Sequence, residues 1–244
     1  MANPFLSQKP FSALLSLFLT FFLLSSTKVN SAASGRHTIS NFTSDYVLLG
    51  GDAESLNNGN ILELTNRADN LPGTGRAVYN FVQNMWHDAT GNYASFVTTF
   101  SFKLSHSENC EGLVFFMEPQ DQQILPENSG GGNLGIVDAY KGLNQFVAVE
   151  FDASIDEWDP DYKHIGINVN SVVSLKTAKW EGYLVGRMNN VTISYDSLSK
   201  ILSVTVIDSA TIAVFNLAQV IDLKAVLPQK IRLGFSATSK GHVA

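Results

Sequence analysis

Short runs of β-branched and aromatic residues recur from residue 46 onward. They are "YVLL" (46–49), "ILELT" (61–65), "AVYNFV" (77–82), "SFVTTFSFKL" (95–104), "GLVFFM" (112–117), "QFVAVEF" (145–151), "HIGINVNSVVSL" (164–175), "VTISY" (191–195), "ILSVTVI" (201–207) and "KIRLGFSA" (230–237). Turn-forming clusters such as "NNGN", "LPGTG", "DATGN" and "NSGGGN" separate them. Many short strands punctuated this way predict an all-β antiparallel sandwich or barrel. The one helical signal is a turn near "LKAVLP" (223–228), and there is no internal repeat.

A different pattern opens the chain. Lys9 precedes the apolar run Phe11 to Leu24, and small residues follow in "STKVNSAASG". This reads as a secretory leader over residues 1–31, cleaved after Ser31 and too short to span a bilayer. Residues 32–244 then form a single domain, whose 45% hydrophobic content can build one core. No second long apolar run follows, so no membrane insertion is expected. The formal charge of −6 argues against nucleic acid or an anionic membrane as main partner. Cys110 is the only cysteine, so the fold must hold by burial alone or with metals. Two sequons, at Asn41 and Asn190, suit N-glycosylation in the secretory pathway.

The candidate chemistry lies in "EFDASIDEWDPDYKH", from Glu150 to His164. In the strand that leads into it, Val147, Val149 and Phe151 share one face and Ala148, Glu150 and Asp152 the other. In the strand that follows, Ile165 and Ile167 take the apolar face and His164 the opposite one. If the two strands pair, carboxylates and an imidazole converge beneath an Asp-rich loop. Glu150, Asp152, Asp159 and His164 offer a nitrogen and several oxygens, a set suited to a divalent transition ion such as Mn²⁺. Asp152, Asp156, Asp159 and a loop carbonyl offer oxygens only, a set suited to Ca²⁺. A solvated acidic loop is the competing reading. An EF-hand is not, because Glu157 stands where the loop needs glycine. A glycosidase pair fares poorly too: Ser154 and Ile155 occupy the positions where a second Glu would stand.

The stretch "VAVEFDASIDEWDPDYKHIGINVNSVVSLKTAKW" closely resembles the metal-loop segment of legume lectins, plant carbohydrate-binding proteins. The likeness continues in order through "GDAESLNNGNILELT", "AVYNFVQNMWHDATGNYASFVTTFSFKL", "GLVFFMEP", "SGGGNLGIV" and "IDLKAVLPQKIRLGFSAT". It implies an antiparallel jelly-roll β-sandwich with a flat back sheet and a curved front sheet, and no enzymatic activity. It implies Mn²⁺ on Glu150, Asp152, Asp159 and His164, with Ser174 behind, acting through water. Ca²⁺ would be held by Asp152, Asp156, Asp159 and the Ser154 carbonyl. The implied partners are glycans or glycoproteins, with a homodimer through the back sheet and an extracellular or vacuolar location. The implied sugar-facing positions are Glu111, Gly132, Ser154 and Asp156, and three of them depart from the family pattern. Cys110-Glu111 replaces an Ala-Asp pair joined by a cis peptide, Asp156 replaces an Asn, and Ser154 replaces an aromatic. The expectation is therefore retained metals with altered or weakened sugar specificity; the alternative is a defence or storage protein that has lost sugar binding. The family also continues to a final strand where this sequence ends in "SKGHVA", so a domain lacking that strand is expected. Cys110 is expected to be a half-buried thiol rather than a nucleophile. Trp86 and Trp158 are expected to pack rather than to stack on a sugar.

Overall fold

Strands whose two faces are both apolar need cover on both sides, and this chain supplies it with a second sheet on one side and a long loop on the other. A computed structural model describes residue 38 and residues 41–65, 71–86, 93–104, 110–141, 145–180 and 186–240. The leader assigned to residues 1–31 and the chain's last four residues lie outside the described residues.

Fourteen strands are described: β1 (Val47–Gly51), β2 (Glu54–Leu56), β3 (Ile61–Glu63), β4 (Gly73–Tyr79), β5 (Gln83–Asn84), β6 (Phe96–Lys103), β7 (Cys110–Pro119), β8 (Val147–Asp152), β9 (His164–Val169), β10 (Lys176–Lys179), β11 (Met188–Asp196), β12 (Ile201–Asp208), β13 (Val214–Val220) and β14 (Lys230–Ser239). A short helix, α1 (Leu223–Val226), falls where "LKAVLP" predicts it, with the Asp222 carboxylate accepting from the Lys224 backbone N–H. The larger sheet runs β1-β4-β14-β7-β8-β9-β10, with β5 also pairing with β14; the smaller runs β13-β12-β11-β6, and β2 and β3 form a hairpin. Every pairing is antiparallel. The architecture is an antiparallel jelly-roll β-sandwich, as expected.

Several boundaries differ from the sequence reading. The apolar stretch 164–175 is not one strand: β9 ends at Val169, Asn170 turns the chain with φ of 55°, and β10 starts at Lys176. β4 begins earlier than its apolar run because "GTGR" pairs along β14 despite its composition. The strands β2, β5, β10 and β13 carry no strong apolar run; they pair as short or edge strands.

Strand parity then builds two apolar layers. Leu113, Phe115 and Met117 of β7, Val147, Val149 and Phe151 of β8, and Ile165 and Ile167 of β9 pack against Val191, Ile193, Leu202 and Val204 of the smaller sheet. Rings interlock inside this layer, with Phe100 4.8 Å from Phe235 and Phe102 4.9 Å from Phe151. The alternate residues of the same strands, Val114, Phe116 and Ala148, point the other way. With Val78 and Phe146 they form a second layer, covered by Leu134 and Ile136. The covering segment is fastened to β14, since the Ser236 hydroxyl donates to the Leu134 carbonyl (2.6 Å) and the Thr238 hydroxyl to the Gly131 carbonyl (2.8 Å). This fastening ties Gly131, the residue before Gly132, to the end of β14.

The second layer also buries charge. The Arg76 guanidinium, fully buried, donates to Glu118 at 2.8 Å and lies 4.0 Å from the Phe116 ring centre. Arg232 reaches the same carboxylate at 3.4 Å. One carboxylate thus answers two buried guanidiniums, and removing it leaves both uncompensated. Glu118→Gln is expected to lower unfolding free energy by about 3–5 kcal/mol, read as a lower urea midpoint at unchanged slope.

Candidate metal centre and binding face

Register brings the acidic residues together. Asp152 and His164 are directly opposite across β8 and β9, and Glu150 is opposite Gly166. Paired residues project to the same side of an antiparallel sheet, so Glu150, Asp152 and His164 converge. All three are buried, with a ligand atom from each lying within 4.8 Å of the others. Gly166 makes the convergence possible: a Cβ there would overlap the Glu150 carboxylate and the Ser174 hydroxyl. A second group, Asp152, Asp156 and Asp159, meets the same distance limit. Asp152 belongs to both. Asp159, expected in both sets, stands with the second group.

The loop between the two strands is tied by its own backbone. The Ser154 N–H donates to Asp152 Oδ1 at 2.8 Å, the Asp156 N–H to Asp159 Oδ2 at 2.8 Å, and the Ala153 N–H to the Glu111 carbonyl at 2.8 Å. Around Glu150, His164 Nε2 lies 2.9 Å from Oε1, the Asn168 amide donates to Oε2 at 3.1 Å, and the Ser174 hydroxyl donates to Oε1. Ser174 was expected behind the Mn²⁺, acting through water; here it donates directly to the Glu150 carboxylate. Asn168 was missed, although its place two residues beyond Gly166 put it on the same strand face.

Electrostatics show what the cluster lacks. Burial pushes the Asp152 carboxyl up from 3.8 to about 8, with Glu150 adding to the rise and the Ser154 N–H opposing it. Burial also raises Asp156, helped by Glu111 and Asp159. For His164, burial works to lower the pKa, but the hydrogen bond and charge of Glu150 outweigh it and the net direction is up. His164 Nδ1 is buried without a hydrogen-bond partner. Two buried carboxylates against one imidazole, with two more carboxylates grouped around Asp152 and a ring nitrogen left unpartnered, fit a divalent cation.

The expected sugar-facing residues lie beside this cluster. Gly132 sits against Asp156 and Trp158, where any Cβ would overlap the Asp156 carboxylate. Trp158 is 42% exposed, so the packing expectation does not describe it, whereas Trp86 packs against the core and against Tyr93 at 5.3 Å. Glu111 is only 2% exposed. Its Oε1 pairs with Lys240 Nζ at 3.3 Å, and Lys240 also donates to the Ser154 hydroxyl at 2.7 Å. Lys240 was missed from sequence, since it lies 86 residues from Ser154 and belongs to no motif. No cis peptide bond occurs among the described residues, so Cys110-Glu111 is trans. The Cys110 thiol is half-buried, and burial with the adjacent Glu111 pushes it up to about 11, which suits an inert thiol.

The legume lectin domain model matches residues 34–244. The chain belongs to the legume lectin family. A galactose-binding lectin of Arachis hypogaea is 43% identical, the match covering 94% of this chain and 85% of the relative. A lectin-related protein of Cladrastis kentukea is 38% identical, over 97% of this chain and 84% of the relative. Among solved structures, the lectin UEA-II complexed with galactose aligns with a TM-score of 0.76 at 34% identity, covering 83% of this chain and 89% of that one. Legume lectins bind carbohydrate, typically hold metal ions, are not enzymes, and are generally secreted or vacuolar. Among the described residues, no helix is long and apolar enough to cross a membrane.

The raised Asp152 pKa gives a pH signature. Between about pH 4 and 8 the metal-free folded state keeps a proton on Asp152 that the unfolded chain has lost, so stability falls as pH rises through that window. Thermal midpoints of metal-free protein should decline from about pH 5 to 8, and a saturating divalent cation should flatten the decline by replacing the proton. Gly166→Ala should displace Glu150 and weaken cation binding roughly 10- to 100-fold by titration calorimetry.

Proposed function

We propose that this protein is a metal-dependent carbohydrate-binding lectin whose sugar specificity differs from the family pattern. The observation that carries the reading is the pair of ligand groups sharing Asp152 directly beside Gly132, Asp156 and Trp158. Glu150, Asp152 and His164, with Asp159 near, would hold Mn²⁺. Asp152, Asp156 and Asp159, with the Ser154 carbonyl, would hold Ca²⁺. The ions supply fixed positive charge that neutralises the buried carboxylates; they do no covalent chemistry. With the loop fixed, Asp156 accepts from sugar hydroxyls, Gly132 lets the ligand approach the backbone, and the exposed Trp158 ring offers an apolar face.

Galactose is the first ligand to test, because a galactose-binding relative and a galactose complex both align over most of the chain. The altered positions change what the face can do. A carboxylate at Asp156 accepts hydrogen bonds but cannot donate as an amide does. The Ser154 side chain provides no ring to stack on. The covering of Glu111 by Lys240 favours a second reading, a lectin-like defence or storage protein without sugar binding.

We place the mature protein in the secretory pathway, extracellular or vacuolar, after removal of residues 1–31. Asn190 is exposed near the start of β11, its amide nitrogen donating to the Ser209 hydroxyl at 2.9 Å, while Asn41 is half-buried, its amide nitrogen donating to the Asn58 carbonyl at 3.1 Å. Asn190 is therefore the more accessible of the two glycosylation sites. It lies on the outer face of the smaller sheet, so a glycan there opposes face-to-face pairing and leaves edge-to-edge pairing as the compatible homodimer.

A glycan array probed with and without EDTA tests the proposal. Binding that disappears with EDTA, returns with Ca²⁺ and Mn²⁺, and is absent in Asp152→Asn is the expected result. Full metal uptake with a silent array would overturn the lectin reading in favour of the defence or storage one.

A further inference from the structure

The carboxylate at position 111 is not free to meet a ligand. It is 2% exposed, Lys240 Nζ stands 3.3 Å from its Oε1, and the same ammonium takes the Ser154 hydroxyl at 2.7 Å. Its Oε2 is buried with no hydrogen-bond partner. Two of the four positions assigned to sugar contact are thus already engaged by one side chain of the same chain. Lys240 itself is half exposed, so it covers the carboxylate from the solvent side rather than being sealed in the core.

The backbone keeps the lysine there. Lys240 directly follows β14, whose Thr238 hydroxyl is bonded to the Gly131 carbonyl beside Gly132. A tether this short gives the ammonium a high effective concentration at Glu111, so even a modest ion pair competes well against a dissolved ligand. The exchange is unequal in kind as well. A sugar hydroxyl can donate to the carboxylate, but it brings no opposite charge as the ammonium does.

We propose that Lys240 is an internal competitor of the sugar, occupying Glu111 and Ser154 so that a neutral glycan binds only by displacing it. The inference rests on the carbohydrate-binding reading above. Lys240 thereby sets specificity: it weakens neutral monosaccharides that would rely on Glu111 alone and favours larger glycans whose contacts with Gly132, Asp156 and Trp158 offset the displacement. Lys240 pairs with no carboxylate of the two acidic groups: its partners are Glu111 and the Ser154 hydroxyl, and its charge is felt at Asp156.

The test is titration calorimetry of galactose, with a panel of neutral glycans alongside, into Ca²⁺- and Mn²⁺-loaded full-length protein. Lys240→Met and Lys240→Gln remove the charge by two routes, and Lys240→Arg keeps it. Both neutral variants should bind galactose roughly five- to tenfold more tightly than the parent, with metal uptake retained and a lower thermal midpoint because buried Glu111 loses its counter-charge, while the arginine variant should stay near the parent. Gain of detectable binding where the parent shows none supports the proposal equally. Unchanged or weaker binding by both neutral variants, with the parent binding glycans, overturns the competitor role and leaves the lectin reading intact. No glycan binding by the parent or any variant overturns both.

Discussion

Burying a carboxylate costs several kcal/mol unless a partner charge is close, and among the carboxylates this fold buries, Glu150 and Asp152 occupy successive same-face positions of one strand. Much else in the structure answers to that cost. Gly166 leaves room for Glu150, Asn168 and Ser174 hydrogen-bond it, and His164 lies across from Asp152. The loop from Ala153 to Lys163 folds back so that Asp156 and Asp159 join the same cluster rather than pointing into solvent. Hydrogen bonds alone leave a negative excess there. A divalent cation is the simplest group that removes it, and Asp152 couples any ion in one group to any ion in the other.

The sandwich explains why such a cluster is tolerated. β7 and β8 are covered on both faces, so the apolar burial of Phe115, Phe116, Val149 and Phe151 offsets a locally unfavourable charge arrangement. The covering segment serves twice. Leu134 and Ile136 close the second apolar layer, and their anchoring through Ser236 and Thr238 delivers Gly132 to the binding face and leads the chain on to Lys240. Packing, the acidic cluster and the proposed ligand face are therefore built together, linked through β14 and the Asp-rich loop.

Much of this was legible in the sequence, for physical reasons. Period-two alternation fixed the inward faces of β8 and β9, and the same parity put Glu150, Asp152 and His164 together. The central strands, being richest in β-branched and aromatic residues, were visible; β10 and β13 were not, because edge strands such as "VFNLAQV" mix Asn and Gln with apolar residues. Asn170 broke one long apolar stretch through a backbone turn that composition does not reveal. Contacts between distant segments were out of reach. Arg76 with Glu118 and Lys240 with Glu111 join residues with no common motif, and each changes the chemistry of its surroundings. The burial habit of aromatics misleads at Trp158, which is exposed next to Gly132.

Anomalous scattering from crystals grown with Mn²⁺ and Ca²⁺ tests the central claim most directly. A manganese peak bounded by Glu150, Asp152 and His164 is expected, with a second, calcium site on the Asp156 and Asp159 side of Asp152. Manganese density elsewhere, or none at saturating metal with Glu150, Asp152, Asp156 and Asp159 still clustered, would contradict that claim.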